Sequence, residues 1–217
     1  MNDNFQKNAL DNTLFISAMQ HEIFSRIAPT LRHDLVGHVS VSLMRINIIN
    51  KILNKPELDT DKLKLEIHKI EQLLKTNILN IRELSFWDFG TEKENIPNEI
   101  LIKSVQLMSI QLAMKNIKSN LIPMEFSEVE KIETKPLLYS LLSVFCYIED
   151  NNFDNFTLNI TQSNNSIIIK MSPNQSQIPT VILNTRMISF SNSMIMKFAE
   201  LYDIHIKFYD QQICVSW

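Results

Sequence analysis

Glycine is almost missing from this chain. Its 217 residues hold two, Gly37 and Gly90, so there is no glycine-rich loop whose backbone amides could cradle a phosphate unobstructed by a Cβ or reach positive φ without steric cost. Cysteine is equally scarce. Cys146 and Cys214 each lie in an apolar context and are not spaced as metal ligands, so they read as reduced core thiols of a cytoplasmic protein. No apolar run approaches the roughly 20 residues that a bilayer span needs. The stretch from Met1 to Asn12 is polar, carries Asp3, and lacks the basic-then-apolar order of a secretory leader. A basic excess is missing too: 21 lysines and arginines are scattered among 24 acids for a net charge of −3, which argues against nucleic-acid binding. What is present is ordinary. With 45% hydrophobic and 21% charged residues, the chain can bury one medium core or two small ones.

The first half reads as helical. From Thr13 to Leu53 the breakers are Pro29 and Gly37, and apolar residues recur at Ile27, Leu31, Leu35, Val39, Leu43 (or Ser42), Ile46, Ile49 and Leu53, at helical spacing. Pro29 either kinks this helix or marks the start of a shorter one. Asn54-Lys55-Pro56 ends the pattern, and Asp59 or Thr60 can cap a second helix with apolar residues at Leu63, Ile67, Ile70, Leu74, Ile78, Ile81 and Leu84. Two such helices joined by a short turn form an antiparallel hairpin that cannot cover both stripes alone. Pairing with a second copy, as a homodimeric four-helix bundle, would cover them.

Within the first helix, His33, Asp34, Gly37 and His38 fall within two turns. Gly37 lies one turn beyond His33 on the same face, and His38 one turn beyond Asp34 on the neighbouring face. A glycine inside a helix costs about 1 kcal/mol relative to alanine, so its place beside a histidine suggests close approach by another molecule. A neutral imidazole is a fair nucleophile near neutral pH, and an adjacent carboxylate can fix its tautomer and stabilise developing charge.

The run from Leu31 to Ser42 resembles the phosphoacceptor box of sensor histidine kinases, in the form His-Asp-x-x-Gly-His/Gln-x-x-Ser. The resemblance implies that His33 carries a phosphoryl group, that Asp34 orients or deprotonates it, and that Asp34 and His38 position the water that dephosphorylates a response regulator. Arg32 would assist the phosphoryl charge, and Gly37 would let the partner dock.

The second half changes period. Helices are expected over Glu99 to Ile117, from Thr134 or Lys135 through Ile148, and over Ser191 to Tyr202. Strands are expected over Leu121 to Phe126, Phe156 to Thr161, Ser166 to Met171, Ile204 to Tyr209 and Gln212 to Trp217, with a further apolar stretch at Val181 to Leu183. The resulting α/β sandwich is similar to the ATP-binding module of the same kinases, which gives an α+β chain: residues 1–88 as the hairpin domain and 89–217 as the module. The family's nucleotide residues do not follow. The helix from Pro136 to Asp150 has no asparagine, Met171-Ser172-Pro173-Asn174 stands where Asp-x-Gly would, and Ser189-Phe190-Ser191-Asn192-Ser193 replaces a glycine-rich loop.

A phosphoacceptor-like hairpin on a degenerate ATP module looks like the bacterial histidine phosphotransferases, which pass phosphoryl groups between receiver-domain aspartates without ATP. The resemblance implies a response regulator receiver domain as partner, with the receiver supplying Mg2+, and no cofactor or metal bound by this chain. Two other readings remain: a non-catalytic pseudokinase that binds a kinase or regulator, and a response-regulator phosphatase using Asp34 and His38. His21, His68 and His205 are isolated and read as surface or packing residues. The Phe86-Trp87-Asp88-Phe89 cluster reads as packing at the domain junction. Met187, Met194 and Met196 would fill the emptied nucleotide pocket.

Overall fold

A computed structural model describes residues 2–83, 94–122, 131–151, 155–163, 165–174 and 189–217, with the side chains of 2–7, 34, 80, 82 and 83 outside the description. The architecture is α+β: a long N-terminal helical hairpin followed by a mixed sheet with helices. Contacts divide the chain into two units, one of residues 28–91 and one combining 1–27 with 92–217. The domain junction expected at 88/89, with its aromatic cluster, lies outside the described residues, as does the Val181 to Leu183 stretch.

The smaller unit is built on α1 (Asn2–Leu53) from residue 28 onward and on α2 (Thr60–Glu83). Helix α1 runs through Pro29 without a break, although proline removes one backbone donor. The turn after Leu53 ends at Asp59, whose carboxylate accepts from the Lys62 amide at 2.9 Å. That cap satisfies one of the orphan donors at the start of α2. His38 of α1 meets Asn77 of α2, and Arg45 meets Glu66. The later residue of α1 thus pairs with the earlier residue of α2, so the hairpin is antiparallel.

The larger unit contains β1 (Glu94–Asn95), α3 (Pro97–Met114), β2 (Lys118–Ile122), β3 (Ile132–Glu133), α4 (Thr134–Asp150), β4 (Phe156–Ser163), β5 (Ser166–Pro173), α5 (Asn192–Glu200), β6 (His205–Tyr209) and β7 (Gln212–Ser216). Five strands form one sheet in the order β2-β4-β5-β7-β6, with β2 parallel to β4 and the other pairs antiparallel; β1 and β3 pair separately. Leu158, Ile160, Ile167, Ile169, Met171, Ile206, Ile213 and Val215 are buried on one face, alternating with more exposed neighbours as a one-sided sheet requires. Helix α4 fills the middle of this core, with Leu137, Leu138, Leu141, Leu142, Phe145 and Ile148 all inaccessible. Each such side chain contributes roughly 1.5–3 kcal/mol through burial. The start of α1 joins this core through Met19, Ile23 and Ile27. Phe15 meets Phe198 edge to face, and the Gln20 amide donates to the Tyr202 hydroxyl. Burial, only partly offset by the Gln20 bond, raises the pKa of that phenol.

The scarcity of glycine shows in the turns. Left-handed backbone is adopted by Asn116, Asn155 and Asp203, the residue types besides glycine that tolerate it best. After α5, Asp203 takes that conformation and the Ile204 amide reaches back to the Ala199 carbonyl at 3.0 Å, closing the helix as glycine ordinarily would.

Candidate functional site

His33 and Arg32 are both exposed on α1, and Gly37 is half-buried one turn further on. A Cβ built at Gly37 would meet nothing within 4 Å, so no packing within this chain calls for glycine there. Asp34 is helical, but its side chain lies outside the described residues.

His38 stands apart from His33. Five residues further on, it lies about 140° around the helix and turns towards α2. There its Nδ1 sits 2.8 Å from Oδ1 of Asn77. An amide oxygen only accepts, so Nδ1 carries the proton and donates. The joint role expected for Asp34 and His38 lies in part outside the described residues. Asn77 was not legible as a site residue because nothing marks it locally. A trace of it lies in the period of α2, where Leu63, Glu66, Ile70, Leu73 and Asn77 form the less exposed line at spacings of three and four.

That line corrects the stripes read from sequence. On α1 the inward positions are Leu31, Leu35, His38, Ser42, Arg45, Ile49 and Ile52. Val39, Ile46 and Leu53, placed in the same stripe by sequence, are exposed, and of the two alternatives Leu43 and Ser42 it is Ser42 that is buried. On α2, Ile67, Leu74, Ile78 and Ile81 are exposed while Glu66 and Asn77 are buried. The seam is therefore polar at its centre. Arg45 donates to Glu66 at 2.8 Å, and Lys69 donates to the same carboxylate at 3.0 Å. The hydrogen bonds from Lys69 and Arg45 hold Glu66 below the ordinary glutamate pKa.

In the larger unit, the segment from Ser189 to Ser193 is committed to internal contacts. The Phe190 amide donates to Asp150 at 2.8 Å, and the Met194 amide to the Ser191 hydroxyl at 3.3 Å. Asp150, at the end of α4, also accepts two hydrogen bonds from the Arg26 guanidinium at 2.8 and 2.9 Å. The two side chains are 3% and 1% exposed, and Arg26 also stacks over the Phe190 ring at 4.6 Å. Burial is the largest single influence and opposes the charge on Arg26, but the hydrogen bonds to Asp150 and Glu22, together with the electrostatic pull of Asp150 and Cys146, outweigh it and raise the pKa. A carboxylate of the chain itself thus occupies the amide next to the start of α5. Asn151 donates to the carbonyls of Tyr147 and Phe190 and so serves as a tie between segments.

Of the three methionines expected to fill the emptied pocket, Met187 lies outside the described residues, Met194 is half-buried and Met196 is 37% exposed, while Phe190 is buried. Among the described residues, no group of three or more His, Cys, Asp or Glu side chains is placed to hold a metal ion, and no helix is long and apolar enough to cross a membrane. His21, His68 and His205 are exposed; Cys146 is buried, while Cys214 is half-buried on the open face of the sheet.

No family model matches the chain, and no curated protein matches it. Among solved structures it is similar to the cytoplasmic segment of histidine kinase QseC, with 14% identity over 66% of this chain and 89% of that one and a TM-score of 0.44. It is also similar to the Acinetobacter baumannii histidine kinase AdeS, with 13% identity, 84% and 95% coverage and a TM-score of 0.41. A third is histidine kinase ThkA, solved in complex with response regulator protein TrrA, with 14% identity, 89% and 60% coverage and a TM-score of 0.38. With TM-scores below 0.5, none of these likenesses speaks to activity.

Proposed function

We propose that the chain is a histidine phosphotransferase of a two-component relay, exchanging phosphoryl groups between His33 and receiver-domain aspartates. The observation that carries this reading is an exposed His33 on a two-helix hairpin, with open space beside it at Gly37, inside a sequence box that resembles a phosphoacceptor site. An imidazole nitrogen of His33 attacks phosphorus in line. The N–P bond forms as the P–O bond to the aspartate breaks, and the leaving electron pair stays on the receiver carboxylate. Arg32 lies beside the transferring charge, and Asp34 orients the ring. Mg2+ arrives with the receiver, and the chain itself needs no nucleotide. The Asp150 carboxylate at the Phe190 amide supports that last point, because it already holds a donor that a phosphate would use.

The exposed apolar residues of the hairpin, Val36, Val39, Leu43 and Ile46 on α1 with Leu74, Ile78 and Ile81 on α2, support a homodimer built as a four-helix bundle. The functional test is label transfer. Receiver domains from the same genome, charged with labelled acetyl phosphate, are incubated with wild type and with His33→Ala. Acid-labile, base-stable label on the wild type and none on the variant is expected. Loss of label to water without capture on His33 would replace transfer by a phosphatase, and unchanged receivers would leave a binding module.

A further inference from the structure

Resting on the reading of this hairpin as a receiver-facing site, we infer that Asn77 is a positioning residue that fixes the tautomer of His38 and thereby builds a hydrolytic branch beside the transfer reaction. Asn77 is 7% exposed, and its Oδ1 lies 2.8 Å from Nδ1 of His38. Neutral imidazole carries one proton, and the bond to Asn77 assigns it to Nδ1. Nε2 is left with a lone pair, on the opposite side of the ring from the bond to α2. No described residue hydrogen-bonds it, and His38 keeps partial exposure. The backbone carbonyl of His38 accepts from the Ser42 hydroxyl at 2.9 Å, while the ring itself is held by Asn77.

A fixed lone pair at Nε2 can accept a proton from water. Water attacks the phosphorus of a receiver aspartyl phosphate and a new O–P bond forms. The P–O bond to the aspartate breaks, the electron pair remains on that carboxylate, and the water proton passes to Nε2 before returning to solvent as phosphate leaves. Had Nε2 carried the proton, it could only donate. Asn77 therefore decides which role His38 plays, without touching the substrate. It comes from a different helix than the phosphoacceptor, so substitution at Asn77 separates hydrolysis from transfer at His33.

The test has two independent readouts on the full-length protein. Nitrogen-15 spectra of the His38 ring at a pH where it is neutral are expected to show the Nδ1–H tautomer in the wild type. The same tautomer is expected in Asn77→Asp, which keeps an acceptor, and a shift towards Nε2–H in Asn77→Leu, which has none. With receivers charged by acetyl phosphate, Asn77→Leu is expected to lower the rate of phosphate release by about tenfold or more while label capture on His33 is retained, and Asn77→Asp to restore release. A wild-type Nε2–H tautomer, or a tautomer unchanged in Asn77→Leu, overturns the assignment whatever the receivers do. Should Asn77→Leu fail to fold, Asn77→Asp decides alone: loss of the Nδ1–H tautomer or of phosphate release in that variant overturns it. If the tautomers behave as expected and no receiver exchanges phosphate with the wild type, the relay reading falls and the positioning of the ring stands.

Discussion

The two units place polar and apolar side chains in opposite ways. In the unit formed by 1–27 and 92–217, apolar side chains line the interior, and the buried charges of Arg26 and Asp150 are matched by a two-point pair. In the hairpin of 28–91, the centre of the seam between helices is polar, through His38 with Asn77 and Arg45 with Glu66. Apolar residues such as Leu35, Ile52 and Ile70 line the rest of that seam, but others lie outside, with Val36 and Leu43 each 57% exposed. A folded core has no need of a second chain. A hairpin with polar pairs in its seam and further apolar residues outside is what the proposed dimer would complete, and the contrast names the face on which to test it.

The contrast breaks most sharply at Leu43. Two copies of each outward leucine become buried in a symmetric bundle, so Leu43→Glu is expected to weaken association by about 3–6 kcal/mol, twice the burial of one large apolar side chain. Light scattering would then pass from two chains to one. A variant mass equal to that of the wild type would mean that this face is not the interface.

Next in size is Arg26→Leu, which leaves the Asp150 carboxylate buried without its guanidinium partner. A loss of about 3–5 kcal/mol is expected, because an unpaired buried charge costs more than the pair contributes. The double variant with Asp150→Leu should be less destabilised than the single one, as chemical denaturation would report. Equal losses in the two would place the cost in packing against Phe190 rather than in charge.

Gly37→Ala separates stability from docking. A methyl group there meets nothing within 4 Å, so the helix should gain about 1 kcal/mol. Transfer to His33 should slow nonetheless if a receiver needs the space. Faster or equal transfer in a more stable protein would remove Gly37 from the docking surface.

The sequence is a good guide wherever the signal is local and periodic. Asp59 announces the start of α2 by its type and position, and Phe156–Ser163 and Ser166–Pro173 declare themselves by alternation. The two-residue strands Glu94–Asn95 and Ile132–Glu133 are too short to have a period. Arg26 and Asp150 are 124 positions apart, and no window over the chain connects them. At the site, His33, Asp34, Gly37 and His38 were legible as a motif. Asn77 was not, because the pairing that selects it depends on which face of α2 turns inward. The apolar stripe suggested one face, whereas burial of Glu66 and Asn77 identifies another. In a bundle that is completed by a second copy, hydrophobicity reports both interfaces at once, and only the polar pairs distinguish the inner from the outer.

The smallest expected effect tests the polar seam through pH. Glu66 titrates below its ordinary range because Lys69 and Arg45 donate to its carboxylate. In the unfolded chain it titrates near the usual value of about 4.3. Above that value both states are ionised and the full stabilisation is present. As pH falls through it, the unfolded state binds the proton first, and stability drains away until the lower folded pKa is passed. Wild type should therefore exceed Glu66→Gln in stability at pH 6, with the gap narrowing on acidification below pH 5, as urea denaturation over that range would show. Glu71, held low by Lys75, contributes in the same direction but remains in both proteins and so cancels from the difference. A gap independent of pH would mean that the Glu66 carboxylate is not held by its two cations, and that the seam owes its register to the His38–Asn77 pair and the apolar residues.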